Sequence, residues 1–261
     1  MSEAAPSIVF DRVAGEYDAT RGFPPGVEDD VASLFARAGA LGPASHVLEL
    51  GIGTGRIAVP LAERVGSYTG MDLSGPMLVK LLAKRGSLPI DLVRADVTRP
   101  PFADGRFDAV VAVHVFHLIP GWREALARAA RALRKGGLLL HGADDHARGP
   151  SWVRWRKQVE GRYGVENVGV PRGEIETFPE REGWRPAGVH RIEFTRATRP
   201  RTMLELVSGR SWSMTWRMSD DDLAEAVAAL RADLLEAYGD LDRDVEVASG
   251  FWVRAYAPPV R

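Results

Sequence analysis

The chain has 261 residues, enough for one large α/β domain with a full core, and its charge is balanced, with 34 Lys and Arg against 35 Asp and Glu. This balance argues against binding to nucleic acid, and the absence of cysteine excludes disulfides, thiolate zinc sites and a cysteine nucleophile. The first residues have no basic region followed by an apolar run, and no segment approaches membrane-spanning length, so we expect a cytoplasmic protein without membrane contact.

The first predicted elements are two amphipathic helices. Apolar and aromatic residues recur at helical spacing from Phe10 to Tyr17, and Gly-Phe-Pro-Pro at 22–25 ends the pattern. We expect residues 1–25 to form a cap outside the core sheet. The second helix, over 27–39, should pack on the sheet.

A strand, a glycine turn and a helix follow between residues 47 and 63. The strand is a short apolar run ending at Leu50, and it leads into Gly51, Gly53 and Gly55. Glycine lets the backbone turn with unusual dihedral angles and approach a ligand closely, while the following helix offers unpaired N–H groups at its start. This arrangement is typical of a nucleotide site.

The details of the loop indicate which kind of nucleotide it suits. The dinucleotide fingerprint is Gly-x-Gly-x-x-Gly, but Arg56 stands where its third glycine would be. Glu49 lies two residues before Gly51, where a carboxylate would repel a pyrophosphate but can accept an ammonium group. The loop therefore favours a zwitterionic ligand. A tight turn that binds nothing is the alternative.

An acid follows the second predicted strand, which covers 67–71. Asp72 stands at the carboxyl end of this strand, and Ser-Gly-Pro at 74–76 begins a helix. Such an acid, about 20 residues after the glycines, is placed to accept hydrogen bonds from both ribose hydroxyls. An N-cap of the helix is the alternative role for Asp72.

A third strand is predicted at 90–95 and a fourth, buried and central, at 107–113. Two histidines follow the fourth strand. His114 and His117 would lie at the carboxyl edge of the sheet, where open α/β sheets bind ligands. As a neutral imidazole, His117 could accept a proton from an attacking hydroxyl or amine. A hydrogen-bonded structural histidine is the alternative.

A metal site is not expected. The two histidines could ligate a metal, but the chain offers no matching cluster beyond His141 and His146, and the nearby acids are loop residues.

The C-terminal half predicts the remaining helices and strands. A helix from Trp122 is expected to end at Lys-Gly-Gly, 135–137, before a fifth strand at 138–141. The later elements are a strand at 189–195, a helix capped by Ser219 and a final alternating strand at 245–255.

Residues 144–185 and 197–218 are predicted lid insertions on the substrate side. Aromatic residues are frequent there and suit the wall of a pocket for an apolar or planar substrate. The residues in question are Trp152, Trp155, Trp212 and Trp216, with Arg210 beside them. A small packed subdomain is the alternative interpretation.

These motifs together resemble the class I S-adenosylmethionine (SAM) dependent methyltransferases, of the small-molecule, type 11-like group. Glu-Leu-Gly-Ile-Gly-Thr-Gly at 49–55 is similar to motif I of that family. Phe-Asp-x-x-Ala-x-x-Tyr-Asp-x-x-Arg at 10–21 is similar to the segment that folds over the SAM pocket, and Ala-Asp at 95–96 with its Pro-rich loop is similar to the segment that holds adenine. The resemblance implies one domain, 1–261, with a Rossmann-like seven-stranded, mostly parallel sheet, helices on both faces, an antiparallel last strand and a helical lid insertion.

The resemblance also implies direct methyl transfer from SAM to a small-molecule acceptor. The implied cofactor-binding residues are Tyr17, Arg21, Glu49, Gly51, Gly53, Asp72, Leu73, Met77, Asp96, Val97 and His114. Among them, Glu49 would hold the methionine end, Asp72 the ribose and Asp96 the adenine amino group. His117, which matches a histidine common after this strand in the family, would face the acceptor as the catalytic residue.

Two other functions remain open. An NAD(P)-dependent oxidoreductase is disfavoured by the glycine spacing and by Glu49, and a SAM-binding protein without turnover would keep the acids but lack a base. The acceptor and the oligomeric state are not predicted.

The amide content bears on the source of the protein. Asn167 and Gln158 are the single Asn and Gln of the chain, and Arg, Pro and Ala are frequent. This composition indicates a thermophilic source, whereas a GC-rich genome is the alternative cause.

Overall fold

The computed structural model describes residues 7–15, 17–145, 149–164 and 167–260. His146 and the first six residues lie outside this part, as does the side chain of Trp152. The described strands are β1 (His46–Leu50), β2 (Ser67–Asp72), β3 (Ile90–Arg94), β4 (Phe107–Val113), β5 (Leu133–Asp145), β6 (Arg185–Thr198) and β7 (Val245–Ala257). The described helices are α1 (Tyr17–Arg21), α2 (Val27–Gly39), α3 (Ala58–Ala62), α4 (Gly75–Lys84), α5 (Trp122–Ala132), α6 (Gly149–Tyr163), α7 (Phe178–Arg181), α8 (Pro200–Ser208) and α9 (Asp220–Tyr238).

The seven strands form one sheet in the order β3-β2-β1-β4-β5-β7-β6. The first five strands pair in parallel, and the sheet is mixed because of its last strands, as predicted. The strand order reverses between β1 and β4, and ligands of open α/β sheets bind in the crevice beyond the carboxyl ends at such a point. This crevice lies next to the glycine loop and to the residues after β4.

The core explains which strands are central. In β4, six consecutive residues from Phe107 to Ala112 are buried, a pattern typical of a strand covered on both faces. On one face, Leu48 and Val110 join Trp122 and Leu126 of α5 in a single apolar cluster.

The start of β5 differs from the prediction. Helix α5 ends at Ala132, and Leu133 is already extended and pairs with Phe107, so Lys135, Gly136 and Gly137 lie inside a 13-residue strand. A register irregularity between Phe107 and its next paired residue accommodates the glycines. Gly136 and Gly137 were expected to end the helix, whereas they lie in the irregular part of strand β5.

The predicted N-terminal helix is also shorter than expected. A single 3-10 turn, Asp11–Val13, precedes α1, and neither reaches two full α-helical turns. The segment is instead held by contacts to the rest of the chain, such as the hydrogen bond from the backbone N–H of Ile8 to the carbonyl oxygen of Leu118 at 3.1 Å.

The chain forms two compact units. The first contains residues 1–143, 168–192 and 251–261, and the second contains 144–167 and 193–250. The predicted insertion 144–185 is therefore divided between them.

The second unit has its own apolar core. Trp155 of α6 is fully buried, and its indole N–H donates to the carbonyl oxygen of Ala226 at 2.6 Å. Trp212 is buried in the same cluster with Leu230 and Leu234 of α9. For Trp155 and Trp212 the structure therefore supports the packed subdomain and not the wall of a substrate pocket. Within the described part of the chain, no helix is long and apolar enough to cross a membrane.

Candidate active site

The glycine loop after β1 is tied to the neighbouring strand. The backbone N–H groups of Gly51 and Ile52 both donate to the carbonyl oxygen of Met71, at 2.9 and 3.0 Å. Gly53 has φ +57°, which disfavours other residues, and a Cβ atom there would have no atom within 4 Å. The loop therefore turns at Gly53 and presents bare backbone to open space, as close approach of a ligand requires.

Asp72, at the end of β2, holds this loop in place. Its Oδ2 accepts a hydrogen bond from the backbone N–H of Gly53 at 2.9 Å, and its Oδ1 accepts one from Ser74 N–H at 2.8 Å. Burial raises the pKa of Asp72, although the backbone N–H donors oppose the rise, and the charge of Asp11 raises it further. Ser74, rather than Asp72, caps α4, since its Oγ accepts from Met77 N–H at 3.3 Å.

Glu49 is buried beneath the loop, with 3% of its surface exposed. Its Oε2 accepts a hydrogen bond from the Tyr68 hydroxyl at 2.8 Å, on the neighbouring strand β2. Burial raises the pKa of Glu49 to about 8, and the nearby charge of Asp72 adds to the rise, whereas the Tyr68 hydrogen bond lowers it. A cation bound beside Glu49 would stabilise the ionised form of this carboxyl group. The sequence alone did not single out Tyr68.

Asp96 completes a row of acids at the carboxyl ends of β1, β2 and β3. The backbone N–H of Ala95 donates to the carbonyl oxygen of Asp72 at 3.1 Å, which holds the start of this turn against the end of β2. Asp96 Oδ1 accepts from both the backbone N–H and the hydroxyl of Thr98, each at 2.8 Å. We name Glu49, Asp72 and Asp96 the acid rim.

The other predicted contacts of the adenine and ribose are placed beside the acid rim. Val97 and Met77 are buried core residues, and Met77 lies in the first turn of α4. The carbonyl oxygen of Leu73 accepts from Arg94 Nε at 3.1 Å.

The N-terminal segment lies over the glycine loop. The Ser74 hydroxyl donates to Asp11 Oδ1, and the Thr54 hydroxyl donates to Asp18 Oδ1, both at 2.5 Å. Tyr17 contacts the Phe10 ring edge to face, with centroids 6.1 Å apart. The motif 10–21 predicted such a cap, but it did not predict that Asp11 and Asp18 would anchor it.

His114 follows β4 with φ +53°, a left-handed conformation that is uncommon outside glycine. Such backbone is often found at functional sites, where neighbouring structure maintains it. The His114 and His117 rings are 6.3 Å apart between centroids. The structure therefore brings both predicted histidines together beyond the end of β4.

His117 lies in a 3-10 turn, Phe116–Leu118, and is half-buried. Burial lowers the pKa of His117 to about 3, and His114, Arg172, Arg21 and His141 act in the same direction. The imidazole is therefore neutral at physiological pH. Because its conjugate acid is strong, it is a weak base.

Two residues that sequence reasoning did not assign to the site stand near His117. His141 lies on β5 opposite Ala112, and burial lowers its pKa to about 3. Arg172 begins a 3-10 turn. The segment before this turn is held by a hydrogen bond from Gly169 N–H to the His117 carbonyl oxygen at 3.0 Å. We name His114, His117, His141 and Arg172 the basic rim. The only sequence signal for it was the pair of histidines after β4.

No group of three or more His, Asp or Glu that could hold a metal ion occurs among the residues that the structure describes. His141 is enclosed by aromatic rings rather than by carboxylates, with the Phe178 and Trp252 centroids 5.3 and 5.2 Å away.

Comparison with known proteins bears on the meaning of this site. The family model described as "Methyltransferase domain" matches residues 48–141, which include the glycine loop, the acid rim and the three histidines. An uncharacterised methyltransferase of Mycobacterium tuberculosis, Rv3342, is 30% identical over 213 residues, which are 80% of this chain and 79% of that protein. The chain belongs to the class I methyltransferase family.

Two further methyltransferases are similar in part. Nocamycin O-methyltransferase of Saccharothrix syringae is 36% identical over 138 residues, 50% of this methyltransferase and 48% of that one. The crystal structure of phosphoethanolamine N-methyltransferase 2 of Haemonchus contortus in complex with S-adenosyl-L-methionine has a TM-score of 0.54 and 19% identity, and covers 95% of this chain and 57% of that one. One structural neighbour of this methyltransferase is thus a complex with SAM, and the shared feature at this identity is the fold.

Proposed function

We propose that this methyltransferase binds SAM at the acid rim and transfers its methyl group to a small-molecule acceptor held at the basic rim. The observation that carries the proposal is the position of Asp72, whose two oxygens hold the backbone of Gly53 and Ser74 at the carboxyl edge between β2 and β1. That edge is where a ribose would meet the open side of the glycine loop.

The residues present fit the chemistry of SAM. Bare backbone at Gly53 leaves room for close approach, and the buried carboxyl of Glu49 suits a cationic group, since an ammonium would offset the cost of its ionisation. A diphosphate would instead lie beside two acids, Glu49 and Asp72, whose ionisation its charge would oppose further, so an NAD(P) cofactor fits poorly.

The protein acts chiefly by position. When bound, SAM supplies a methyl group that is electrophilic because it is attached to a sulfonium. Glu49 would orient the amino group, Asp72 the ribose and Asp96 the adenine amino group, each by hydrogen bonds. Alignment of two reactants about 3 Å apart and exclusion of water then provide most of the acceleration.

The contribution of His117 is better described as positioning than as proton abstraction. With a pKa of about 3 it takes up a proton poorly at neutral pH. A neutral imidazole can still donate one hydrogen bond and accept another, and so can orient an acceptor. The sequence-based assignment of His117 as a base is revised accordingly.

Calorimetric titration with S-adenosylhomocysteine (SAH) tests the proposal. We expect saturable binding by the wild-type protein, and no comparable binding of NADH. Binding of NADH without binding of SAH would favour the oxidoreductase. If SAH binds but no labelled methyl group is transferred from SAM to any compound of a broad acceptor panel, a binding protein without turnover would be favoured.

Three expectations from the sequence stay predictions. They are a cytoplasmic location, the absence of a nucleic-acid substrate and a thermophilic source. An unfolding midpoint within the mesophilic range of about 45–65 °C would contradict the last of them.

A further inference from the structure

Two buried hydroxyl groups lie in the backbone segments that Asp72 holds. Thr54 belongs to the glycine loop, Ser74 to the turn after β2, and each is 1% exposed. The Thr54 hydroxyl donates to Asp18 Oδ1 at 2.5 Å. The Ser74 hydroxyl donates to Asp11 Oδ1, also at 2.5 Å. Both acceptors therefore come from the N-terminal segment, the part of the chain that precedes α2.

Each of these backbone segments is thus held twice. Asp72 accepts from the backbone N–H groups of Gly53 and Ser74, at 2.9 and 2.8 Å, while the acids of the N-terminal segment accept from the adjoining hydroxyl groups. Asp11 is also close enough to Asp72 for its charge to raise the pKa of that carboxyl group. Such contacts matter for the glycine loop because its three glycines have positive φ, and free glycine backbone adopts many other conformations.

The acids and the hydroxyl groups differ in exposure. Asp11 and Asp18 are exposed, so water would hydrate them if these hydrogen bonds were absent. Thr54 and Ser74 are buried, and a buried donor that loses its partner carries a free-energy cost. The cost of losing either acid therefore falls on the loops of the acid rim rather than on the N-terminal segment.

Other contacts fix the N-terminal segment in place. Lys84 of α4 donates to Asp18 Oδ2 at 2.9 Å. The Arg56 guanidinium lies over the Phe23 ring, 3.7 Å from its centroid. Asp18 is thus held beside Thr54 by contacts in which the Thr54 side chain takes no part.

We propose that Asp11 and Asp18 are positioning residues for the cofactor, which hold the glycine loop and the turn after β2 in the conformation that binds SAM. This inference rests on the proposed function and adds two residues to its cofactor site. A loop that is already held in its binding conformation loses less entropy when the ligand binds, so the affinity is higher. Neither acid needs to touch the cofactor.

The first test separates the hydrogen bond of Asp18 from its ion pair. Asp18→Ala should weaken SAH binding about five-fold, because it leaves the buried Thr54 hydroxyl without its acceptor. Asp18→Asn keeps an oxygen that can accept from Thr54 and should stay within about two-fold of the wild-type protein. Lys84→Gln removes only the exposed ion pair and should also stay within about two-fold. Calorimetric titration measures each affinity, and its stoichiometry counts the folded, binding-competent protein.

A double-mutant cycle tests whether Asp18 acts through Thr54. Thr54→Val removes the hydroxyl group and should also weaken SAH binding about five-fold. In the Thr54→Val protein, the further change Asp18→Ala should alter the affinity by less than about two-fold. Asp29→Ala is the control, since it removes an acid that pairs with Arg64 at the surface, and it should leave the affinity unchanged.

Asp11 is tested by the alanine and asparagine variants alone, because Ser74 also caps α4 and is unsuited to a cycle. Asp11→Ala should weaken SAH binding about five-fold, whereas Asp11→Asn can still accept from Ser74 and should stay within about two-fold.

The outcomes separate the two proposals. The positioning role is wrong, and SAM-dependent methylation stands, if the wild-type protein binds SAH and any of three results is obtained. The alanine variants bind within about two-fold of the wild-type protein, the asparagine variants bind as weakly as the alanine variants, or the losses in Asp18→Ala and Thr54→Val multiply in the double variant. If the wild-type protein does not bind SAH, the proposed function fails and this inference fails with it.

Discussion

The two rims lie along one edge of one sheet, yet they have opposite chemistry. Glu49, Asp72 and Asp96 follow the strands on one side of the switch point, whereas His117 and Arg172 stand on the other side. Both rims are buried enough to shift pKa values, upward for the acids Glu49 and Asp72 and downward for His117. The difference teaches that one fold can place acids at some strand ends and histidines with an arginine near others, through the few residues that follow each strand.

The largest expected effect tests whether the acid rim depends on the second unit. Trp212→Ala should lower the free energy of unfolding by about 3–5 kcal/mol, because it empties a buried aromatic position in that core. SAH affinity should stay within about two-fold. Denaturant unfolding and calorimetry measure the two quantities.

Trp216→Ala is the matched control. Trp216 is half-buried, and its indole N–H donates to the Arg210 carbonyl oxygen, so its loss should cost less stability than that of Trp212. A Trp212→Ala protein of normal stability with strongly reduced SAH affinity would show that the acid rim is not independent of this tryptophan.

The next effect concerns the acid rim directly. Asp72→Ala should weaken SAH binding by about 1.5–3 kcal/mol for each charged hydrogen bond lost. Asp104→Ala removes an acid that pairs with Arg131 at the surface, and should leave the affinity unchanged. Calorimetric affinity unchanged to within a factor of two in Asp72→Ala would exclude Asp72 as the ribose acid.

Glu49 predicts a pH effect on stability. Its pKa is about 8 in the folded protein and near 4.5 when unfolded, so the folded state holds a proton that the unfolded chain loses between these values. Stability from this source therefore falls as pH rises towards 8 and levels off above it. His117 and His141, with pKa values of about 3 against 6.5 unfolded, act oppositely but only below about pH 6.5.

Between pH 6.5 and 8 the wild-type protein should therefore lose about 2 kcal/mol through Glu49. Glu49→Gln keeps an oxygen to accept from the Tyr68 hydroxyl and should lose much less over the same range. Urea unfolding at several pH values measures both slopes. Identical slopes in the two proteins would mean that Glu49 is ionised in the folded state.

The smallest effect concerns the adenine. Asp96→Ala should reduce SAH affinity more than Asp96→Asn, by about 1 kcal/mol, because the amide oxygen can still accept from the adenine amino group and from Thr98. Equal losses in the two variants would indicate a charge effect rather than a hydrogen bond.

The sequence predicted the acid rim better than the basic rim for a physical reason. Asp72 stands at the end of an apolar strand, and parallel strands deliver their ends to one edge, so spacing located Asp72, whereas Asp96 was assigned from the family resemblance. Strands β4 and β7 and helix α9 were also predicted close to their observed bounds, because their apolar periodicity is strong.

The basic rim depends on tertiary contacts that leave no periodic signal. The segment that carries Arg172 is held beside His117 by hydrogen bonds from the backbone of Gly169 and Val170, residues far from His117 in the sequence. The low pKa of His117 likewise follows from burial and from charged residues up to about a hundred positions apart along the chain, which no spacing in the sequence shows.

Proton release on cofactor binding tests the central claim most directly. At pH 7 the Glu49 carboxyl, with its pKa of about 8, is mostly protonated, and an ammonium group bound beside it would favour ionisation. Calorimetric titration with SAH in buffers of different ionisation enthalpy counts the protons exchanged. We predict release of about one proton by the wild-type protein and almost none by Glu49→Gln. Binding by the wild-type protein without proton release would contradict the assignment of the acid rim to the methionine end of SAM.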